Sequence, residues 1–317
     1  MDTSILRGCE AAKPGVSAAA PAPAAGESEL TRFLRLFLTV LAGVALCLGM
    51  ARAIPTDEEL GLPKGAKAIA EPDGYAKNQL GTRGQPFGPG EKLRFSVEYG
   101  PIKAGTATLE VLPMLNFKNT RCYHLASTAQ SAPFFDSVYK VRDRIDTMVD
   151  AQRFVTYQYQ KVQNEGGYHA EHKAVYDPDR GRVRYADGKV MDAPRNALDV
   201  LSAFYRARLE KLTPGTSIYI PHHSDRKSFY LEVHVLRKER VSVPAGTFDC
   251  IVVEPLVRDA GPFKNKGGLT VWLTDDARRM PVLMKSKVPV GSVDASLTSF
   301  TSGQAPAVAQ AQPRPGS

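Results

Sequence analysis

Cysteine is scarce in this chain, with four in 317 residues, and two of the four fall in a segment that reads as a leader. Only Cys122 and Cys250 remain once that segment is set aside, so a dense disulfide framework is excluded. The two can pair in an oxidising compartment or stay as buried thiols. Both alternatives stay open, because the sequence does not show whether their Cα atoms lie within the roughly 7 Å that a disulfide allows. Also missing is an apolar run of the roughly 20 residues that a membrane-spanning helix needs. There is no dense basic cluster, which argues against nucleic acid as a partner. No Gly-x-Ser-x-Gly elbow occurs, since Gly291-Ser292-Val293 lacks the second glycine. Neither Cys122 nor Cys250 carries a reactive-thiol signature. What remains is ordinary globular composition, 43% hydrophobic and 23% charged, which excludes collagen, coiled coil and wholesale disorder.

The strongest local signal is near the N-terminus. Arg32 and Arg35 precede the apolar stretch from Leu36 to Leu48, and Ala51-Arg52-Ala53 follows. A basic region, a short apolar core and a small-x-small site are the three parts of a secretory signal peptide. Cleavage after Ala53 and a periplasmic location are therefore expected, with retention as an inner-membrane anchor as the alternative. Residues 1–29 lie upstream of this signal, which suggests a translation start near Leu30. Cys47 resembles a lipidation site, but Leu46 before it is not small. Five basic and four acidic residues leave with the leader, so 36 Lys+Arg and 29 Asp+Glu remain, a net charge of +7. That favours weak attraction to anionic membrane surfaces.

Composition then divides the chain. Residues 1–53 are extension and signal peptide, and 54–89, rich in Gly, Pro and charge, read as a linker or flexible arm. Residues 90–300 form a β-rich domain, and 301–317, built of Ala, Gln, Pro, Gly and Ser, a disordered tail. Within the domain, apolar alternation recurs in about a dozen short runs. Leu93, Phe95, Val97 and Tyr99 share one strand face, with Arg94, Ser96 and Glu98 on the other. Further runs include 136–147, 153–163 and 167–177. Asp187-Gly188, Asp177-Pro-Asp-Arg-Gly181 and Val243-Pro-Ala-Gly-Thr247 supply hairpin turns.

So many strands should curl or close, giving a mainly β fold: a large curved antiparallel sheet, half-barrel or barrel-like, with one amphipathic helix packed on it. That helix is predicted over Asn196 to Leu212, where Leu198, Leu201, Tyr205, Leu209 and Leu212 keep helical spacing before Pro214-Gly215. Asn196 and Asp199 resemble a capping pair, and Arg195, Arg206 and Arg208 are expected on the solvent face.

Five stretches, in order, carry a resemblance. They are Glu91-Lys-Leu-Arg-Phe-Ser-Val-Glu-Tyr-Gly100 running on to Ala104-Gly-Thr-Ala-Thr-Leu109, Phe134 to Asp143, Leu198-Asp-Val-Leu-Ser-Ala-Phe-Tyr205, Val243 to Phe248, and Val271-Trp-Leu-Thr-Asp-Asp276. Together they resemble domain-of-unknown-function family 3108, a bacterial family of exported proteins. The resemblance implies export and a β-rich domain, and no activity. In shape, the expected fold is also similar to LolA-like periplasmic carriers, which does not fix function.

Candidate chemistry is sparse. His169 and His172 sit three apart in a predicted strand and so face opposite ways, which suits a metal badly. His222-His223 with Asp225 reads as a loop, and Asp275-Asp276 as a polar turn. In Tyr139-Lys-Val-Arg-Asp-Arg144, alternation puts Tyr139, Val141 and Asp143 on one face and three bases on the other. An acidic Asp143 among apolar neighbours would be a functional oddity. Tyr139, Asp143, Tyr205 and Trp272 are the expected ligand-binding residues, with no metal and no cofactor. The expected function is non-enzymatic binding or carriage of an amphipathic, lipid-like envelope molecule. The alternatives are an assembly module for a protein or polysaccharide partner and, third, a hydrolase.

Overall fold

The computed structural model describes residues 85–256, 268–287 and 292–304. The expected leader, most of the linker and most of the tail lie outside them. The described residues form one antiparallel sheet of 14 strands with two short helices. In chain order these are β1 Lys92–Tyr99, β2 Ile102–Phe117, β3 Thr120–Ser131, α1 Pro133–Tyr139, β4 Arg142–Asp150, β5 Thr156–Glu165, β6 Tyr168–Asp177, β7 Arg182–Tyr185 and β8 Val190–Asp192. Then follow α2 Val200–Leu209, β9 Ser217–Ser224, β10 Lys227–Val243, β11 Gly246–Leu256, β12 Leu269–Thr274, β13 Pro281–Lys287 and β14 Ser292–Thr301. Two meanders, β1 to β8 and β9 to β14, join where β14 pairs with β1.

Curvature brings the two outer strands together. No backbone ladder joins β8 to β9, yet the Ser228 hydroxyl donates to the Asp192 carbonyl at 2.5 Å and Tyr176 Oη to the His223 carbonyl at 2.8 Å. Tyr185 Oη lies 2.7 Å from His223 Nε2 and accepts from the Arg226 amide at 3.0 Å. The barrel-like form is thus closed by side chains, which also shields both edges from further pairing. Its outer face carries ion pairs such as Arg144–Asp146, Arg240–Asp249 and Lys285–Asp294, while Leu93, Phe95 and Val97 point inward and are buried. That is the reverse of a membrane-spanning barrel, which is apolar outside.

Three local expectations change. The predicted strand over 136–147 begins as helix α1, because Pro133 starts a turn in which the Phe135 and Asp136 amides bond the Ala132 carbonyl. The strand proper starts only at Arg142. Helix α2 is shorter than 196–212. Asn196 takes φ +59° in a turn and Leu198 forms a parallel bridge to His222, so the backbone stays extended until Asp199, the true N-cap. Arg208 is not on the solvent face: its side chain is fully buried and its guanidinium meets Glu91 at 2.7 Å.

The last residues of the expected linker belong to the domain. Phe87 is buried in an aromatic nest with Tyr123, Phe154 and Tyr205, with ring centroids 4.9–5.9 Å from its own. At the far end of the chain, Gly303 lies so close to residue 88 that a Cβ would meet the Gly88 carbonyl oxygen at 2.0 Å. Only glycine allows that approach. Helix α2 and residues 85–91 together fill one end of the barrel, the end holding the β2–β3, β4–β5 and β12–β13 turns.

Candidate functional site

The start of helix α2 is held by one carboxylate. Asp199 is buried, and its oxygens accept from the Leu201 and Ser202 amides at 2.9 and 3.2 Å. They also accept from the hydroxyls of Thr147, Thr156 and Ser202 at 2.6–2.7 Å. Helix start, β4 and β5 are locked by these bonds, as a buried polar group requires. So anchored, α2 turns Leu201 and Phe204 toward the sheet. Between them and Phe95, Leu109, Met284 and Val293 lies a pocket of about 70 Å3, with the hydroxyls of Ser127 and Ser286 on its wall. Leu269 and Val293 bring the pocket toward the end of the barrel opposite the α2 plug, where the β1–β2 turn lies.

Next to this groove the interior turns polar. Cross-strand register puts Leu109, Ser127, Ile145, Lys161 and His172 in one inner row. Lys161 is therefore two strand spacings, about 10 Å, from Ser127 on the pocket wall. It is fully buried, and its Nζ has no hydrogen-bond partner. Both ring nitrogens of buried His172 are equally unpartnered. One pair nearer the open end, Asp143 accepts the Asn164 amide at 3.0 Å through one oxygen while the other oxygen has no partner. Beside it Gln163 donates to Glu165 at 2.8 Å, leaving its own carbonyl oxygen free. Tyr139 reaches Glu165 at 3.5 Å, its ring lying 2.9 Å from where a Cβ on Gly166 would stand. Gly166, at φ +58°, makes room for that ring.

Burial dominates the electrostatics. Desolvation pushes the Asp143 carboxyl up to about 7, opposed by the Asn164 amide bond and helped by neighbouring Glu165. It pushes the Lys161 ammonium down to about 7, against the pull of Asp143, Glu165 and Asp225. Asp225, in the β9–β10 turn, is raised to about 6, again chiefly by burial. His172 is lowered to about 3 by burial and by Arg226, and so stays neutral. Four buried groups with open hydrogen-bonding capacity at one place leave a strong demand for a polar occupant.

The expected residues divide between places. Tyr139 and Asp143 meet in this cluster, and their shared inward face is as the alternation predicts. Tyr205 sits in the aromatic nest at the plugged end, its buried hydroxyl unpartnered and its acidity suppressed by burial. Trp272 is buried, its indole N–H donating to Glu239. Cys122 on β3 and Cys250 on β11 are buried and unbridged, so the free-thiol alternative holds; burial raises both to about 11. His222 and His223 are not in a solvated loop: both are buried in β9. His169 is exposed and His172 buried, facing opposite ways as predicted, and no group of three ligating side chains gathers among the described residues. Asp275 and Asp276 form a turn bonded to Arg279, Lys238 and Arg278. The sequence reading missed Lys161, Gln163 and Glu165. All three share the phase of buried Tyr159, but β5 is polar on both phases, so no alternation marks its inner face.

Residues 94–298 match the family model described as "Protein of unknown function (DUF3108)". A beta-barrel-like protein of family DUF1849 from Brucella abortus is similar at 8% identity and a TM-score of 0.45, covering 69% of this chain and 99% of that one. A candidate lipoprotein from Parabacteroides distasonis gives 11% and 0.31 over 69% and 99%. A candidate exported protein of YmcC-like fold from Bacteroides fragilis gives 12% and 0.27 over 69% and 98%. No curated protein matches the chain.

Proposed function

We propose that this chain, which belongs to the DUF3108 family of proteins of unknown function, is an exported carrier of an amphipathic molecule. In this reading the molecule's apolar part lies in the groove under α2 and its polar end at the Lys161–Asp143 cluster. The observation that carries it is their adjacency: an apolar pocket about two strand spacings from buried polar groups that lack partners. The leader segment supports export to the periplasm, and the family supplies no activity that competes with carriage.

The test is native mass spectrometry with lipid extraction on protein recovered from the exported fraction. A stoichiometric amphiphile is expected. An Ala295→Phe variant, which fills the groove from β14, is expected to lose most of the passenger while keeping a cooperative melt. Protein that is empty, and stays empty after incubation with envelope lipids, would sink the reading. A second reading rests on the same cluster, because Asp143 and Lys161 titrating near neutrality are suited to proton transfer. Release of a chemically altered product, in place of an unchanged passenger, would favour it.

The pH dependence has a definite sign. Below about pH 6, Asp143 and Asp225 are protonated and Lys161 is charged. Above about pH 7 the two carboxylates ionise and Lys161 becomes neutral. Together these three groups lose positive charge and gain negative charge as pH rises. Binding of a fatty acid probe is expected to weaken roughly tenfold or more between about pH 6 and 8, as one favourable charge is lost and two unfavourable ones appear. A flat titration by fluorescence displacement would count against placing an acidic head group there.

A further inference from the structure

Four large hydrophobic side chains are exposed among the described residues, and three of them stand at one end of the barrel. Ile102 is 50% exposed, Phe134 79% and Tyr168 46%; the fourth, Leu236, is on β10. The register fixes their common position. Ile102 pairs with Tyr99 at the β1–β2 turn, and Gly105 with Ser131 just before α1. Val141 bridges to Glu165, which pairs with Tyr168 at the β5–β6 turn. From β2 to β6 is four strand spacings, about 20 Å, so the three side chains share one stretch of rim.

Phe134 is braced in its exposed position. Asp136 of the same helix pairs with Arg142 at 2.5 Å and accepts from Ser131 at 2.5 Å, and the Ser131 hydroxyl also accepts the Val141 amide at 2.9 Å. Beneath it Phe135 is partly buried, with its ring 5.3 Å from that of Phe134. A rigid turn that thrusts a phenyl ring into water points to a surface that receives it. The charges beside it are cationic. Lys103 and Lys140 are exposed and make no ion pair among the described residues, whereas Asp136 is neutralised by Arg142. Glu98, opposite Lys103 in register, is half-buried and takes the Ser96 hydroxyl instead. Aromatic and aliphatic side chains flanked by lysines complement one surface in particular, the headgroup layer of an anionic bilayer.

We propose that this rim docks on an anionic membrane surface, with Phe134 and Ile102 entering the headgroup–acyl boundary and Lys103 and Lys140 meeting the phosphates. The proposal rests on the carrier reading for its purpose: Leu269 and Val293 bring the groove toward this same end, so docking would set the pocket against the source of its cargo.

Vesicle flotation tests it, using protein whose N-terminus has been verified by mass so that no retained leader anchors it. Binding is expected to equimolar phosphatidylglycerol–phosphatidylcholine vesicles, to fall with salt, and to be weak on phosphatidylcholine alone. Phe134→Ser should weaken it about tenfold, and Lys103→Gln with Lys140→Gln about thirtyfold, with melting unchanged because all three side chains are exposed. Failure to bind anionic vesicles, or binding that ignores both sets of substitutions, overturns the proposal. Passenger content is measured on the same samples and separates the two ideas. Loaded protein that does not float defeats docking alone, and empty protein that floats through Phe134 defeats carriage alone.

Discussion

An Arg208→Ala protein is expected to melt roughly 10 °C below the parent, a loss of about 3–5 kcal/mol. The guanidinium donates to both oxygens of Glu91 at 2.7 Å, to the Pro86 carbonyl at 3.3 Å and to the Arg278 carbonyl at 3.0 Å. It also lies against the rings of Phe87, at 4.9 Å, and Tyr205, at 5.1 Å. Truncation therefore leaves a buried carboxylate and two part-buried carbonyls without this donor, and a void beside two aromatic rings. The cost comes chiefly from the stranded charge. Pairing Arg208→Met with Glu91→Leu removes both charges and is expected to recover much of the loss. Urea or thermal melts of the two single variants and the double one decide the matter. A single variant that loses less than about 1 kcal/mol would mean that water reaches Glu91 freely.

Asp199→Ala should cost almost as much, about 3–4 kcal/mol, from a lost helix cap and from buried hydroxyls left without an acceptor. Its effect should spread further than stability. Without that carboxylate the first turn of α2 loses its tie to Thr147 on β4 and meets Thr156 on β5 only through the residue 199 amide and the Ser202 hydroxyl, so Leu201 and Phe204 are held less firmly over the groove. Passenger occupancy is expected to fall with the melting temperature. Asp199→Asn keeps one acceptor and should fall between parent and alanine variant. Retention of full occupancy by Asp199→Ala, measured well below its melt, would show that the groove does not depend on where α2 starts.

How far the sequence carries the reader differs by element. Alternation marks β1 because its polar phase faces water and its apolar phase faces the core, with Leu93, Phe95 and Val97 buried. The helical stripe of Leu201, Tyr205 and Leu212 correctly announces burial, but it overstates the helix. Nothing local shows that Leu198 is claimed by β9. Arg208 was misplaced for a related reason, since its partner Glu91 lies 117 residues away. Of the polar cluster, Tyr139 and Asp143 were legible because Val141 between them is apolar. Lys161, Gln163 and Glu165 were not, because an interior that holds polar groups on a strand polar on both sides erases the contrast that alternation needs. His172 could be placed on the opposite face from His169, but which face looks inward depends on closure of the whole sheet.

That closure has a consequence for the order in which the molecule can be made. Of the 13 ladders among the described residues, 12 join strands adjacent in the chain, and each can zip as soon as its two strands exist. The thirteenth joins β1 to β14, where the Thr298 hydroxyl meets the Arg94 carbonyl across 204 residues. Until the C-terminal strand emerges, β1 keeps one open edge and the two meanders remain separate ribbons. A polypeptide threaded N-terminus first through a translocation channel would thus reach the far side with its longest-range ladder still unmade, and the last strand to arrive would be the one that completes it.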